Sequence, residues 1–96
     1  MANPSAPKAR QKLCELCERK TNHYTVHHLV PRSRDKTIQK VAILCKACHG
    51  MVHRLISNLE LEKYYYTIEL LKGHPEVSRF IGWVKKQDPY KRIKIK

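Results

Sequence analysis

Apolar positions along the chain change their spacing as it proceeds, and each change marks a different kind of element. Between Tyr24 and Val30, β-branched and aromatic residues form a run closed by Pro31, which has no N–H to give to a strand ladder. This predicts a short strand over 24–30. Val41-Ala-Ile-Leu44 is a second apolar run of strand length that leads straight into Cys45, so the two strands are expected to pair as a hairpin across a charged loop. From His49 the period becomes helical. Val52, Leu55, Ile56 and Leu59 recur at three and four, which predicts a helix from Cys45/Cys48 to about Ser57. Ser57-Asn-Leu-Glu60 has the form of a capping box, so a new helix is expected to start there and carry Ile68, Leu70 and Leu71. Tyr64, Tyr65 and Tyr66 lie within it, and their rings are expected to pack the core or its rim. Gly73 and Pro75 stop that helix and start another, with Val77, Phe80, Ile81 and Val84 as its apolar face and Asp88-Pro89 as its end.

Size narrows the picture to one domain. The 96 residues are 42% hydrophobic and 29% charged, enough apolar material for one compact core and too much for a disordered polymer. Chains this short bury roughly 60% of the surface they expose when unfolded, and many depend on a metal or on disulfides. Charge then points to a partner. Twenty Lys and Arg against eight Asp and Glu give a formal charge of +12, which concentrates polyanions around a small body. Nucleic acid, DNA or RNA, is the expected partner. No run approaches the roughly 18 apolar residues of a membrane span and no signal-peptide pattern opens the chain, so no membrane partner and a cytoplasmic location are expected. Residues 1–12 carry two prolines and three basic residues and are expected to form a flexible basic arm. The stretch from Lys85 to Lys96 holds six basic residues against Asp88, and Lys91, Arg92 and Lys94 are expected to follow a phosphate backbone without reading bases.

The four cysteines form two CxxC pairs, Cys14/Cys17 and Cys45/Cys48, with 27 residues between them. Each pair offers two sulfurs from one tight turn, and two pairs close a tetrahedral shell with no open position. That is the pattern of a structural Zn2+ site, with a redox or disulfide role as the alternative.

Five of the six histidines fall near the same hairpin: His23, His27, His28, His49 and His53. His49 and His53 are four apart on a predicted helix, so both rings can reach one ion. His27 and His28 are adjacent on a strand end, where one can bind the ion while the other faces what the ion holds. Imidazole ligands with open positions are a catalytic arrangement, whereas an isolated HxxxH is better explained by a solvated helix face.

Cys14-x-x-Cys17, then His27-His28-Leu-Val-Pro31-Arg-Ser33, then Leu44-Cys45-x-x-Cys48-His49-x-x-x-His53 together resemble the HNH endonuclease family of the ββα-metal type, in its zinc-knuckle form. The segment from Phe80 to Pro89 is similar to small bacterial HNH proteins of the YisB type. The resemblance implies an α+β fold, a small zinc-stabilised ββα-metal core over 13–57 followed by a helical extension over 58–96 that packs on the core and ends in the basic tail. It also implies metal-dependent cleavage of DNA phosphodiester bonds, with nicking or double-strand cleavage and little sequence preference. By position, His28 resembles the general base, His27 the metal ligand before it, His49 the last histidine of the motif and His53 the further ligand seen in colicin nucleases. One divalent ion (Mg2+, Mn2+, Ni2+ or Zn2+) is implied at His27, His49 and His53, and imidazoles suit zinc, nickel or manganese better than magnesium. A monomer or a weak homodimer is expected.

Two departures from the family pattern stand out. The motif Asn falls on Lys40, with Gln39 beside it, and lysine has donors but no acceptor to reproduce an amide bridge. The Gly-Gly that often follows the proline segment is replaced by Arg34-Asp-Lys36. Bracing of the loop by Gln39 or another contact, or reduced activity, follows. Arg32 and Arg34 lie beyond the strand, where they clamp neighbouring phosphates or belong to a solvated loop. The alternative reading of the whole chain is a zinc-stabilised nucleic-acid-binding module whose HNH site is degenerate, weakly active or inactive.

Overall fold

The computed structural model describes residues 11–31, 34, 35, 37 and 39–88. Among the described residues it is an α+β fold of two small antiparallel sheets followed by four helices. The first sheet pairs β1 (Lys12–Leu13) with β2 (Lys20–Thr21), Lys12 opposite Thr21 and Leu13 opposite Lys20. This minimal hairpin fixes the base of the Cys14–Cys17 loop. Inside the loop the Glu18 N–H donates to the Cys14 carbonyl (2.8 Å) and the Cys14 N–H to the Arg19 carbonyl (3.0 Å). Closing so tight a turn puts Glu18 at φ 64°, a left-handed conformation in which a residue with a Cβ costs about 1 kcal/mol relative to glycine.

The second sheet pairs β3 (Tyr24–His28) with β4 (Val41–Cys45). Register sets the faces. Thr25 lies opposite Leu44 and His27 opposite Ala42, so these four share one side of the ribbon. Val26 and Val41, on the other side, are about half exposed. The outer edge of β4 is covered by the first CxxC loop: the Glu15 N–H donates to the Ile43 carbonyl (2.9 Å), and the Ile43 N–H donates to Glu15 Oε2 (2.7 Å). Edge groups that would otherwise be free for pairing are thereby satisfied.

Helix α1 (Lys46–Leu55) starts directly from β4. Its N-cap is Cys45, whose sulfur accepts from the Cys48 N–H, and no carboxylate stands in the first turn. A cysteine sulfur thus occupies the place where Ser or Asp usually sits, and in its ionised form its charge would favour the positive end of the helix. Helix α2 (Asn58–Lys63) opens with the expected capping box: the Glu60 N–H donates to Ser57 Oγ (3.2 Å) and the Ser57 N–H to Glu60 Oε1 (2.9 Å). Helix α3 (Ile68–Lys72) and helix α4 (Pro75–Val84) follow. Val77, Ile81 and Val84 of α4 join Ala47, Cys48, Val52 and Ile56, together with Leu16, Leu44, Leu61 and Leu71, in one buried cluster.

Three details differ from the sequence reading. Strand β3 ends at His28, not Val30: its ladder with β4 stops at the pair His28–Val41, and Leu29 and Val30 beyond it are both buried. The helix expected from Ser57 onward is two, since Thr67 Oγ1 accepts from the Leu70 N–H (3.1 Å) and caps a separate α3. Only Tyr65 of the tyrosine run packs against the core, while Tyr64 and Tyr66 are exposed.

Candidate metal centres

The β1–β2 loop supplies Cys14 and Cys17, and the β4–α1 junction supplies Cys45 and Cys48. All four are buried and unbridged, with sulfurs within 4.8 Å of one another. Cys17 Sγ and Cys45 Sγ are 3.8 Å apart. A tetrahedron built on Zn–S bonds of about 2.3 Å has an edge of about 3.8 Å, so the cluster has the dimensions zinc requires. Donors surround the sulfurs: the Cys17 N–H gives to Cys14 Sγ and the Cys48 N–H to Cys45 Sγ (3.4 Å each). Arg19 Nε lies 3.3 Å from Cys17 Sγ and its Nη2 3.5 Å from Cys45 Sγ, so one guanidinium serves both knuckles. Four adjacent thiols cannot all ionise alone. Hydrogen bonding with Cys14 above all lowers Cys17, and lowers Cys45 to about 6. Cys14 and Cys48 are held up, chiefly by hydrogen bonds with Cys17 and Cys14 respectively. A divalent ion at the centre removes that conflict by compensating all four thiolates.

The second cluster lies between the ribbon and α1. His27 is 1% exposed. Its ring centroid is 5.1 Å from that of His49 and 5.3 Å from that of His53, and the latter two centroids are 4.8 Å apart. His49 and His53 present Nε2 atoms 3.0 Å from each other. One nitrogen from each of the three rings falls within 4.8 Å of the others. Neither ring nitrogen of His27 has a hydrogen-bond partner, although both are buried. An orphaned buried imidazole costs free energy unless something takes its lone pair, and a cation held jointly with His49 and His53 does so. Burial first, then the charges of His49, His53 and His28, push His27 down to about 4. Burial and the charges of His53 and His28 lower His49 as well, and His53 is lowered by the side that packs inward while its outer edge faces solvent. Each of these shifts favours the neutral ring, the form that metal ligation requires.

The remaining positions sort themselves by geometry. His28 is half-buried at the end of β3, close enough for its charge to act on both His27 and His49. His23 lies outside the imidazole cluster; its N–H donates to Thr21 Oγ1 and its carbonyl accepts from the Lys46 N–H. His74 caps α4, its Nδ1 accepting from the Glu76 and Val77 N–H groups. Arg34 forms an exposed ion pair with Glu62 at 3.0 Å. Lys40 is exposed and its carbonyl accepts from the Leu29 N–H (3.0 Å), so it contacts the end of β3 through its backbone. Arg32, Lys91, Arg92 and Lys94 lie outside the described residues.

Two residues that sequence reasoning passed over belong to these centres. Arg19 bridges the knuckles, and the Thr25 hydroxyl stands 2.6 Å from His49 Nδ1. Thr25 sits two residues before His27, so strand alternation alone puts it on the ligand face; the sequence carries no comparable signal for Arg19.

Comparison with known proteins fits this geometry. A family model described as HNH endonuclease matches residues 14–55. A Bacillus subtilis (strain 168) protein described as uncharacterized protein YisB is 40% identical over 84 residues, covering 88% of this chain and 84% of its own length. The chain belongs to the HNH endonuclease family. No solved structure matches it. The HNH match runs from the first knuckle cysteine to the last residue of α1, so it contains both side-chain clusters whole. Similarity to YisB reaches beyond the HNH segment into the rest of the chain.

Proposed function

We propose that this protein is a metal-dependent HNH endonuclease that hydrolyses DNA phosphodiester bonds, with little sequence preference. The observation that carries the reading is His27: a buried imidazole with both nitrogens unpartnered, facing two histidines one helical turn apart. His27, His49 and His53 hold the catalytic ion and the four cysteines hold a structural Zn2+. A divalent ion at the imidazoles supplies charge neutralisation at the phosphate and at the departing oxygen. His28 acts as general base, taking a proton from the attacking water at a ring nitrogen, the work to which imidazole is suited at neutral pH. His27 is fixed by burial between ribbon and helix, whereas His53 borders solvent, so an ion held by these rings would be within reach of substrate and water. No carboxylate joins the imidazole cluster among the described residues, and a neutral three-nitrogen set favours Zn2+, Ni2+ or Mn2+ over Mg2+. The +12 charge draws the DNA backbone to the protein, with Arg32, Arg34, Lys40, Lys91, Arg92 and Lys94 as phosphate contacts.

A second reading, a nucleic-acid-binding module with a weak or inactive site, is favoured by Lys40, which stands at the motif Asn and meets the end of β3 through its backbone carbonyl. Plasmid nicking over a panel of divalent ions, with His28→Ala as control, separates the two. Ion-dependent relaxation of supercoiled DNA that disappears in His28→Ala is the expected result. Binding without cleavage under every ion selects the module.

A further inference from the structure

Thr25 occupies a place that no ligand assignment uses. It lies on β3 two residues before His27, on the same face of the ribbon and opposite Leu44. Its hydroxyl oxygen is 2.6 Å from Nδ1 of His49, while Nε2 of the same ring is directed at Nε2 of His53, 3.0 Å away. One imidazole is thereby held by a hydroxyl on one nitrogen and aimed at the metal position with the other. The three-ring cluster puts lone pairs to use only if His49 carries its proton on Nδ1, since a proton on Nε2 would occupy the ligating atom.

We propose that Thr25 is a positioning residue for the catalytic ion: its hydroxyl accepts a hydrogen bond from His49 Nδ1–H, fixing the tautomer and the orientation in which Nε2 can ligate. The inference rests on the reading of His27, His49 and His53 as an ion site and assigns one more residue to it. Ring orientation is otherwise weakly determined. His49 is only half-buried, and among the described residues its ring is hydrogen-bonded to Thr25 and His53. The ring of His27, by contrast, is held by burial. Partners of this outer kind are worth about 10–100-fold in metal affinity.

Thr25→Val keeps a β-branched side chain suited to the strand and deletes only the hydroxyl; Thr25→Ser keeps the hydroxyl. Ni2+ titration by calorimetry, with Zn2+ retained at the cysteines, is expected to show affinity at the histidine site falling about 10–100-fold in Thr25→Val and staying within a few-fold of wild type in Thr25→Ser. Nitrogen NMR of the ion-free protein is expected to find His49 with its proton on Nδ1 in wild type and Thr25→Ser, and to lose that preference in Thr25→Val. Wild-type affinity in Thr25→Val, or equal losses in both variants, overturns the assignment. If the wild type binds no ion at the histidines, the nuclease reading falls instead, and the tautomer of His49 still decides the role of Thr25.

Discussion

Arg19 and Gln87, 68 positions apart, are joined by a hydrogen bond from the guanidinium Nη1 to the Gln87 carbonyl (3.1 Å). The same guanidinium donates to Cys17 and Cys45, so a single side chain links the thiolate cluster to the turn that follows α4. Four thiolates around Zn2+ carry a net charge of −2, and Arg19 brings it to −1 within a partly buried setting. Arg19→Ala should cost about 1.5–3 kcal/mol, the range for hydrogen bonds to charged groups, and lower Tm by roughly 6–24 °C. Arg19→Lys should not restore it, because one ammonium cannot span two sulfurs and a carbonyl. Release of Zn2+ to a colorimetric chelator should quicken in both variants, and Cys45→Ser should fail to fold. A wild-type protein that is folded without zinc contradicts this account.

Adjacent histidines should divide their labour. His28→Ala is expected to abolish cleavage while DNA binding and the ion at the histidine site survive. His27→Ala removes a ligand, so ion affinity should fall together with activity. Calorimetry with Ni2+ and a gel-shift assay on both variants check the split, and equal loss of ion in the two would reject it.

Lys40 should contribute to binding more than to chemistry. Its bond to Leu29 uses the backbone carbonyl, which substitution of the side chain leaves in place. The side chain lines a shallow cleft of about 520 Å3 together with Glu15, Glu18, Glu69 and Lys72. Lys40→Ala should therefore keep both metals, weaken DNA binding slightly and slow cleavage by about tenfold or less, near 1 kcal/mol. Lys40→Asn, which restores the family residue, should retain or raise activity. Loss of metal from Lys40→Ala would place the residue elsewhere in the motif.

Acid should destabilise the ion-free histidine site over a defined window. His27 binds a proton less readily when folded (about 4) than an ordinary imidazole does (6.5), so the unfolded chain takes up more protons as pH falls. The stability tied to neutral His27 is fully present above about 6.5 and is lost progressively down to about 4, some 3 kcal/mol in total. Urea denaturation between pH 7 and 5 should show this slope in wild type and a shallower one in His27→Leu. Identical slopes would remove His27 as the cause.

Features encoded within a few residues were legible in the sequence. Ser57 and Glu60 sit three apart and their capping box is present as read; the CxxC pairs and His49/His53 likewise carry their geometry in their spacing. The core face of α4 was legible for the same reason, since Val77, Ile81 and Val84 repeat at helical intervals. What escaped depends on distant partners. Arg19 looks like one more basic residue until the fold brings Cys45 and Gln87 to it, and Tyr64 and Tyr66 are left exposed by a break that the Thr67 cap introduces between two helices.

Cys48 and His49 are consecutive, and the Cys45 thiolate that caps α1 sits at the end of the helix from which His49 projects. Under the nuclease reading, a chain whose cysteines hold no Zn2+ is expected to lose the order of that turn, and with it the aim of His49. On that reading this is an interlock. A newly made chain would then be unable to cut DNA until it has acquired zinc.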